Sequence, residues 1–297
     1  MPATPSSRHL LLVIAATACW GCGTVLSKQV LDRGVAPMTL LAIELAASCL
    51  VLAIATGARG VAPTRSPALG RLAALGILNP GLAYALGLLG LLTITASMSV
   101  LLWATEPILI LLLARLVLRE HIGVLTAAAV SLALVGVVLV VHSPEVSGAA
   151  TGIALSLAAV TACALYSVLT RRMLLDDSSL TVVLAQQLAA LACAVVVTAF
   201  TVAAAGVDLG LPTDPTTWAL AGLSGTVYYG FAFWFFVSGL RGVPASTAGG
   251  FLPMIPVFGL AASHALGDRL AAHQWVGAMI IVGATTVVAG RHLLRRP

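Results

Sequence analysis

The chain has 297 residues, 60% of them apolar and only 8% charged. Soluble domains run near 45–50% apolar with about 25% charged, so a water-soluble globular fold is excluded, and so is disorder, which needs low hydrophobicity and high charge. The formal charge of +5 comes from basic residues scattered between apolar runs, with no aromatic-interleaved patch, which argues against nucleic acid as a partner.

A spanning helix takes about 20 apolar residues. Ten apolar segments follow one another, at roughly 10–28, 36–57, 72–92, 95–117, 122–142, 149–170, 180–204, 217–238, 244–266 and 274–291. Their apolar character is continuous and lacks the alternation of barrel strands. The first segment follows Arg8 as a signal peptide would, but it outruns an ordinary h-region and reads as a true span. Cys19-Trp20-Gly21-Cys22 has redox spacing inside that span. All five cysteines fall in apolar runs, so packing is the expected use and a disulfide framework is not expected.

The second segment carries Glu44 with no other charge within ten residues on either side. A carboxylate at mid-membrane costs about 2.5–3.5 kcal/mol on insertion scales, so such a residue usually faces a cavity. Glu44 is therefore a candidate for proton coupling or for recognition of a positive group. Its bland reading is an acid bonded to a neighbouring helix. Asn79-Pro80-Gly81 interrupts the third segment, and broken spans expose backbone groups that bind solute or act as hinges. Glu106-Pro107 sits within the fourth, where proline should kink the helix beside a carboxylate. A purely local role at the kink is equally compatible with that pair.

Gln186 and Gln187 are adjacent in the seventh segment and point about 100° apart on a helix. Gln187 repeats the place of Glu44 and would give a cavity neutral hydrogen bonds; interhelical glue is the plainer use. The eighth segment holds Tyr228, Tyr229, Phe231, Phe233, Trp234, Phe235 and Phe236. These circle the helix, so only some can line one site, with Tyr229 and Trp234 as candidates for stacking on a planar or cationic solute. Bulky packing and an interfacial belt account for the rest. Pro253 and Pro256 interrupt the ninth segment. Glu120 and Asp268 end helices beside Arg119 and Arg269, Lys28 should snorkel to the interface, and His264 reads as a packed residue.

Ten spans put both termini on one side. With the termini inside, Arg8, Arg59, Arg65, Arg71, Arg115, Arg119, Arg171, Arg172, Arg241, Arg291, Arg295 and Arg296 fall inside, and only Lys28, Arg33 and Arg269 outside. That bias predicts cytoplasmic termini and a multi-pass protein of the plasma membrane.

The halves repeat each other. Gly90-Leu91, Ala96-Ser97 and Pro107 recur 149 residues later as Gly239-Leu240, Ala245-Ser246 and Pro256. Thr24-Val25-Leu26 with Lys28, and Glu44-Leu45-Ala46-Ala47, recur 143 residues later as Ser167-Val168-Leu169 with Arg171, and Gln187-Leu188-Ala189-Ala190. Five spans is an odd number, so the second half must enter from the opposite side. The expected fold is an all-α polytopic membrane protein of ten transmembrane helices, built as two inverted-topology five-helix repeats at 1–145 and 146–297.

At these motifs the chain resembles an EamA-type member of the drug/metabolite transporter superfamily. The resemblance rests on Trp20-Gly21 with Lys28, Ala96-Ser97, Glu106-Pro107 with Leu118-Arg119-Glu120, Pro256 with Gly267-Asp268, Gln274-Trp275-Val276-Gly277 and Gly283. Two positions depart from the family pattern. Glu44 stands where the family often carries Arg, and Asp268 where it usually carries Glu. The resemblance implies a ten-helix basket around a central cavity, alternating access and, often, export of small metabolites.

The functional expectation is a secondary transporter of small metabolites or drugs, driven by proton or solute exchange, as a monomer or homodimer. Its partners are a small-molecule solute and the lipid bilayer, with no cofactor and no metal. No P-loop, H-E-x-x-H or G-x-S-x-G motif occurs. The alternative is a membrane-embedded enzyme or scaffold, but the chain does not gather His, Asp and Ser near one interface as such enzymes do.

Overall fold

A computed structural model describes residues 7–60, 67–91, 93–94, 102–141, 149–173, 178–206, 208–266 and 271–294. Ala96-Ser97, Gly267, Asp268 and Arg269 lie outside the described residues. Among the described residues the secondary structure is helical, without an extended strand. That follows from the solvent: in hydrocarbon a helix satisfies its backbone within one segment, whereas an open sheet edge does not.

The first half holds α1 (Ser7–Leu31), α2 (Pro37–Ala58), α3 (Pro67–Gly76), α4 (Ala83–Leu91), α5 (Glu106–Val117) and α6 (Val124–Val141). The second holds α7 (Ala150–Met173), α8 (Ser179–Ala205), α9 (Pro215–Ser224), α10 (Ala232–Leu240), α11 (Ala245–Gly249), α12 (Met254–Ala265) and α13 (Ala272–Leu294). Proline opens α2, α3 and α9, where its missing N–H is one of the unpaired donors of a first turn anyway. Asp214 caps α9, its carboxylate accepting from the Thr217 N–H at 2.9 Å. Gly206, with φ of 60°, closes α8 in the left-handed region.

Seven helical stretches are long and apolar enough to cross a membrane: Ser7–Leu31, Pro37–Ala58, Leu69–Gly87, Ala150–Met173, Ser179–Ala204, Pro215–Leu240 and Ala245–Ala265. Val124–Val140 and Ala272–Val288 are shorter apolar helices. The fourth expected segment is described as helix at 102–103 and, after a turn at 104–105, again from Glu106, so the count of ten is not met by length alone. Leu50, Leu116, Val196 and Phe200 are 62–70% exposed on the helix surfaces. In lipid such side chains face a solvent as apolar as themselves.

The third and eighth segments each pass through a wider, π-type turn, at Ile77–Leu82 and Gly225–Phe231. In the first of these Asn79 leaves the helix altogether, with φ −151° and ψ 124°. Proline at position 80 removes a donor there, as its place in the span predicts. The other expected kinks differ. Pro107 occupies the first turn of α5, and Pro256 the first turn of α12, where a missing N–H costs nothing. Each proline thus sits at the start of a helix, just after an interruption of its segment. The ninth segment is broken at Gly250–Pro253, between α11 and α12, so Pro253 lies in the interruption.

Contacts between the halves are exchanged. Helix α1 packs on α10 and α12, while its counterpart α7 packs on α4 and α5. The π turn of the eighth segment packs on α2, and that of the third on α8. Finally α2 meets α8 and α6 meets α13, each equivalent against its equivalent. The largest buried cluster lies along these contacts, with Val13, Leu45, Ile110, Val168, Phe233 and Leu240 at its centre.

Candidate functional site

The broken segments and the two first helices line a cavity of about 320 Å³. Its walls come from matching positions of the two halves. At an offset of 143, Trp20 and Thr24 of α1 face it with Cys163 and Ser167 of α7. At an offset of 149, Asn79 and Tyr84 match Tyr228 and Phe233, and Ala104 and Pro107 match Pro253 and Pro256. Glu106 also lines the cavity, and its counterpart 149 residues on is Ile255, likewise in the wall. The wall thus holds a carboxylate at one of the two matching positions and an aliphatic side chain at the other.

Glu106 is the one charged residue among the described residues of the wall. It stands in the first turn of α5, where an acidic side chain is favoured by the helix dipole. The rings around it stand at steep angles to each other. Tyr84 lies 5.7 Å from Trp103 and 5.8 Å from Tyr228 between centroids, the latter at 85°. Trp20 meets the edges of Phe233 and Phe236 at 5.4 and 5.2 Å. The Trp20 Nε1 is buried with no hydrogen-bond partner. Asn79 is fixed in the wall, its Oδ1 accepting from the Cys163 thiol at 3.3 Å.

Glu44 is buried but is not part of this wall. Its Oε1 accepts from the hydroxyls of Ser27 and Ser224, each at 2.6 Å, and those hydroxyls are 2.8 Å apart. Ser27 is one turn along α1 from Thr24, which does line the cavity. Glu44 therefore ties α1, α2 and α9 together just behind the wall.

The equivalent in the other half is Gln186. It pairs with the Tyr166 hydroxyl, at 2.9 Å to Oε1, and donates from Nε2 to Thr170, at 3.5 Å. Thr170 is the repeat partner of Ser27. Close backbone approaches give the same alignment: a Cβ on Gly225 would lie 2.3 Å from the Glu44 carbonyl oxygen, and one on Gly76 would lie 1.9 Å from that of Gln186. The expected match of Glu44 with Gln187 is thus off by one residue. Gln187 donates to the Tyr229 carbonyl at 3.2 Å and braces the π turn.

The aromatic cluster divides as its helical spacing predicts. Tyr228, Phe233 and Phe236 face the cavity. Tyr229 lies one layer back, stacked on Phe233 at 6.2 Å and edge-on to Tyr84 at 5.3 Å. Phe231, Trp234 and Phe235 pack on one another away from it. Trp234 lies under the Arg59 guanidinium, 4.7 Å from its ring centroid.

Of the six expected site residues, the structure brings Glu106 and Asn79 to the cavity. Glu44, Gln187 and Tyr229 stand behind it, and Trp234 lies elsewhere. Tyr84, Trp103, Cys163 and Tyr166 were missed as wall residues. Tyr84 and Cys163 were within reach, since the 149 and 143 offsets pair them with Phe233 and Trp20. Among the described residues no group of His, Cys, Asp and Glu could hold a metal ion.

Glu120 does more than end a helix. Its carboxylate accepts from the Ala245 and Ser246 N–H groups, each at 3.0 Å, and from the Ser246 hydroxyl, joining α5 to the start of α11. Lys28 pairs with Asp32 one turn on, with both side chains more than half exposed.

No curated protein matches the sequence significantly. A solved crystal structure of a protein superposes with a TM-score of 0.83 over 98% of this chain and 100% of that chain, at 19% identity, which shows the shared fold alone. The EamA-like transporter family model matches twice, at residues 7–142 and 150–290, and so accounts for nearly all of the sequence. With its apolar helices and two tandem matches, the chain is a multi-pass membrane protein that belongs to the EamA-like transporter family.

Proposed function

We propose that the chain is a secondary transporter, working as an exporter, that moves small metabolites or drugs across the plasma membrane by alternating access. One observation carries the reading: a cavity of about 320 Å³, lined by matching residues of both halves, with a single carboxylate in its described wall. In a bundle built this way a site between repeats opens to one side at a time as they rock against each other.

The reading takes the chain as ten spans in two inverted five-helix repeats, 1–145 and 146–297. The exchanged contacts support it, since α1 on α10 and α12 is mirrored by α7 on α4 and α5. The excess of Arg on one side supports cytoplasmic termini. Glu106 is the solute-facing carboxylate and Glu44 the proton-coupling one, since it is buried behind the wall and bonded to two hydroxyls. Asn79 shapes the wall, and Gln187 and Tyr229 hold the π turn from behind. Trp234 serves helix packing. Proton or solute exchange supplies the driving force, because the sequence carries no nucleotide-binding motif.

The test is flux in proteoliposomes with an internal pH-sensitive dye, over amino acids, amines, nucleobases and sugars. The reading expects saturable flux with counterflow, and loss of proton movement in Glu44→Gln. Flux without saturation or counterflow would make the protein a channel. Undiminished coupled flux in both Glu44→Gln and Glu106→Gln would remove these residues from the mechanism.

A further inference from the structure

The distribution of charge and rings in the cavity says which solutes it can hold. Glu106 is its one charge among the described residues, and Ile255 occupies the matching place in the other half. Residues 92–101, which precede the described part of the fourth segment, contain no charged side chain. Trp20, Tyr84, Trp103 and Tyr228 line the same cavity, with Tyr84 edge to face on Tyr228. When ionised, a desolvated carboxylate favours a solute of opposite sign, and aromatic faces attract a cation with the same polarity. No Lys, Arg or His belongs to the described wall. A solute carboxylate or phosphate would therefore meet no counter-charge and would lie beside Glu106.

We propose that the cavity binds amphipathic organic monocations with an aromatic body, with Glu106 as the counter-ion and the tyrosine–tryptophan box around the cationic head. The proposal rests on the transporter reading and adds the substrate class to it. The one-sided charge fits one cationic centre per solute, and the aliphatic side at Ile255 fits an uncharged body. A zwitterionic amino acid brings a carboxylate that the described wall cannot pair. An aromatic amine of similar size, lacking that group, fits.

The experiment is binding to the purified, detergent-solubilised full chain, followed by calorimetry. Four probes share one phenyl body: phenethyltrimethylammonium, phenethyl alcohol, phenylpropionate and phenylalanine. The first is permanently charged, so pH does not alter it. Expected is saturable binding of the ammonium probe, with the other three weaker by on the order of tenfold or more. Glu106→Gln should weaken the ammonium probe by a comparable factor, and Glu106→Asp should restore part of it.

Equal or tighter binding of the alcohol, the anion or the zwitterion would overturn the proposal, and so would undiminished ammonium binding in Glu106→Gln. The comparison among probes needs only the unaltered protein, so it decides even if the Gln variant does not fold. Binding of none of the four also overturns the substrate class. The transporter reading then stands or falls separately, on whether any other solute shows saturable flux in proteoliposomes.

Discussion

The Glu44 carboxylate oxygen accepts a 2.6 Å hydrogen bond from the Ser224 hydroxyl, across 180 residues of sequence. The Ser27 hydroxyl donates to the same oxygen. Such bonds offset the desolvation of a buried acid, and losing one is expected to cost about 0.5–1.5 kcal/mol. Ser224→Ala should therefore lower stability by about that amount, and Ser27→Ala likewise. Glu44→Gln keeps an acceptor and should cost less than Glu44→Ala. Unfolding midpoints of the four variants in one detergent check the order. An unchanged midpoint in Ser224→Ala would mean the bond contributes nothing.

Gly76 and Gly225 hold equivalent places beside the backbones of Gln186 and Glu44. A Cβ at either would lie under 2.5 Å from a main-chain carbonyl oxygen, which cannot swing aside as a side chain does. Overpacking costs about 1–3 kcal/mol even where neighbours can adjust. Gly76→Ala and Gly225→Ala should each lose at least that much. Gly57→Ala is the control, because nothing lies within 4 Å of a Cβ there. Thermal denaturation of the three proteins would sink the argument if all behaved alike.

Arg119 has φ of 55°, a left-handed conformation that closes α5, and the Glu120 N–H reaches back to the Ala114 carbonyl at 3.1 Å. Glycine is the residue that adopts this geometry without strain. Arg119→Gly should therefore stabilise by up to about 1 kcal/mol. Glu120→Ala should destabilise by about 1–2 kcal/mol, because it uncaps α11. Opposite shifts of the melting temperature are the expected signature.

Asp214 lies outside the spans, at the start of α9. The Thr217 hydroxyl, and then the Thr217 N–H, hold its carboxyl below the ordinary aspartate value of 3.8. A group whose pKa is depressed in the folded state contributes stability above its unfolded value and loses it as pH falls through the folded one. The contribution should be complete at neutral pH and fade below about pH 3.8. Asp214→Asn should lose it at neutral pH and flatten this part of the acid limb. An identical acid limb in the two proteins would contradict the assignment.

The sequence alone determined the solvent and the class of fold, and showed that the halves repeat each other. Composition and the length of apolar runs answer to hydrocarbon, and hydrocarbon permits little besides helices to residues with these patterns. The offsets of 143 and 149 already join Trp20 to Cys163 and Glu106 to Ile255, all four of which line the cavity. Asn79-Pro80 announced a broken span because proline cannot donate.

Tertiary structure decided the rest, because facing is a matter of helix phase and of which neighbour approaches. Glu44 and Glu106 look alike as lone acids in apolar runs. Only packing shows that one meets two serines behind the wall and the other meets the cavity. Gln186 and Gln187 differ by one position, about 100° of rotation. The close approach of Gly76 to the chain at Gln186 fixes which of them matches Glu44. Trp234 shares a helix with Phe233, yet it lies under Arg59 rather than in the site, since neighbouring side chains on one helix face different surroundings.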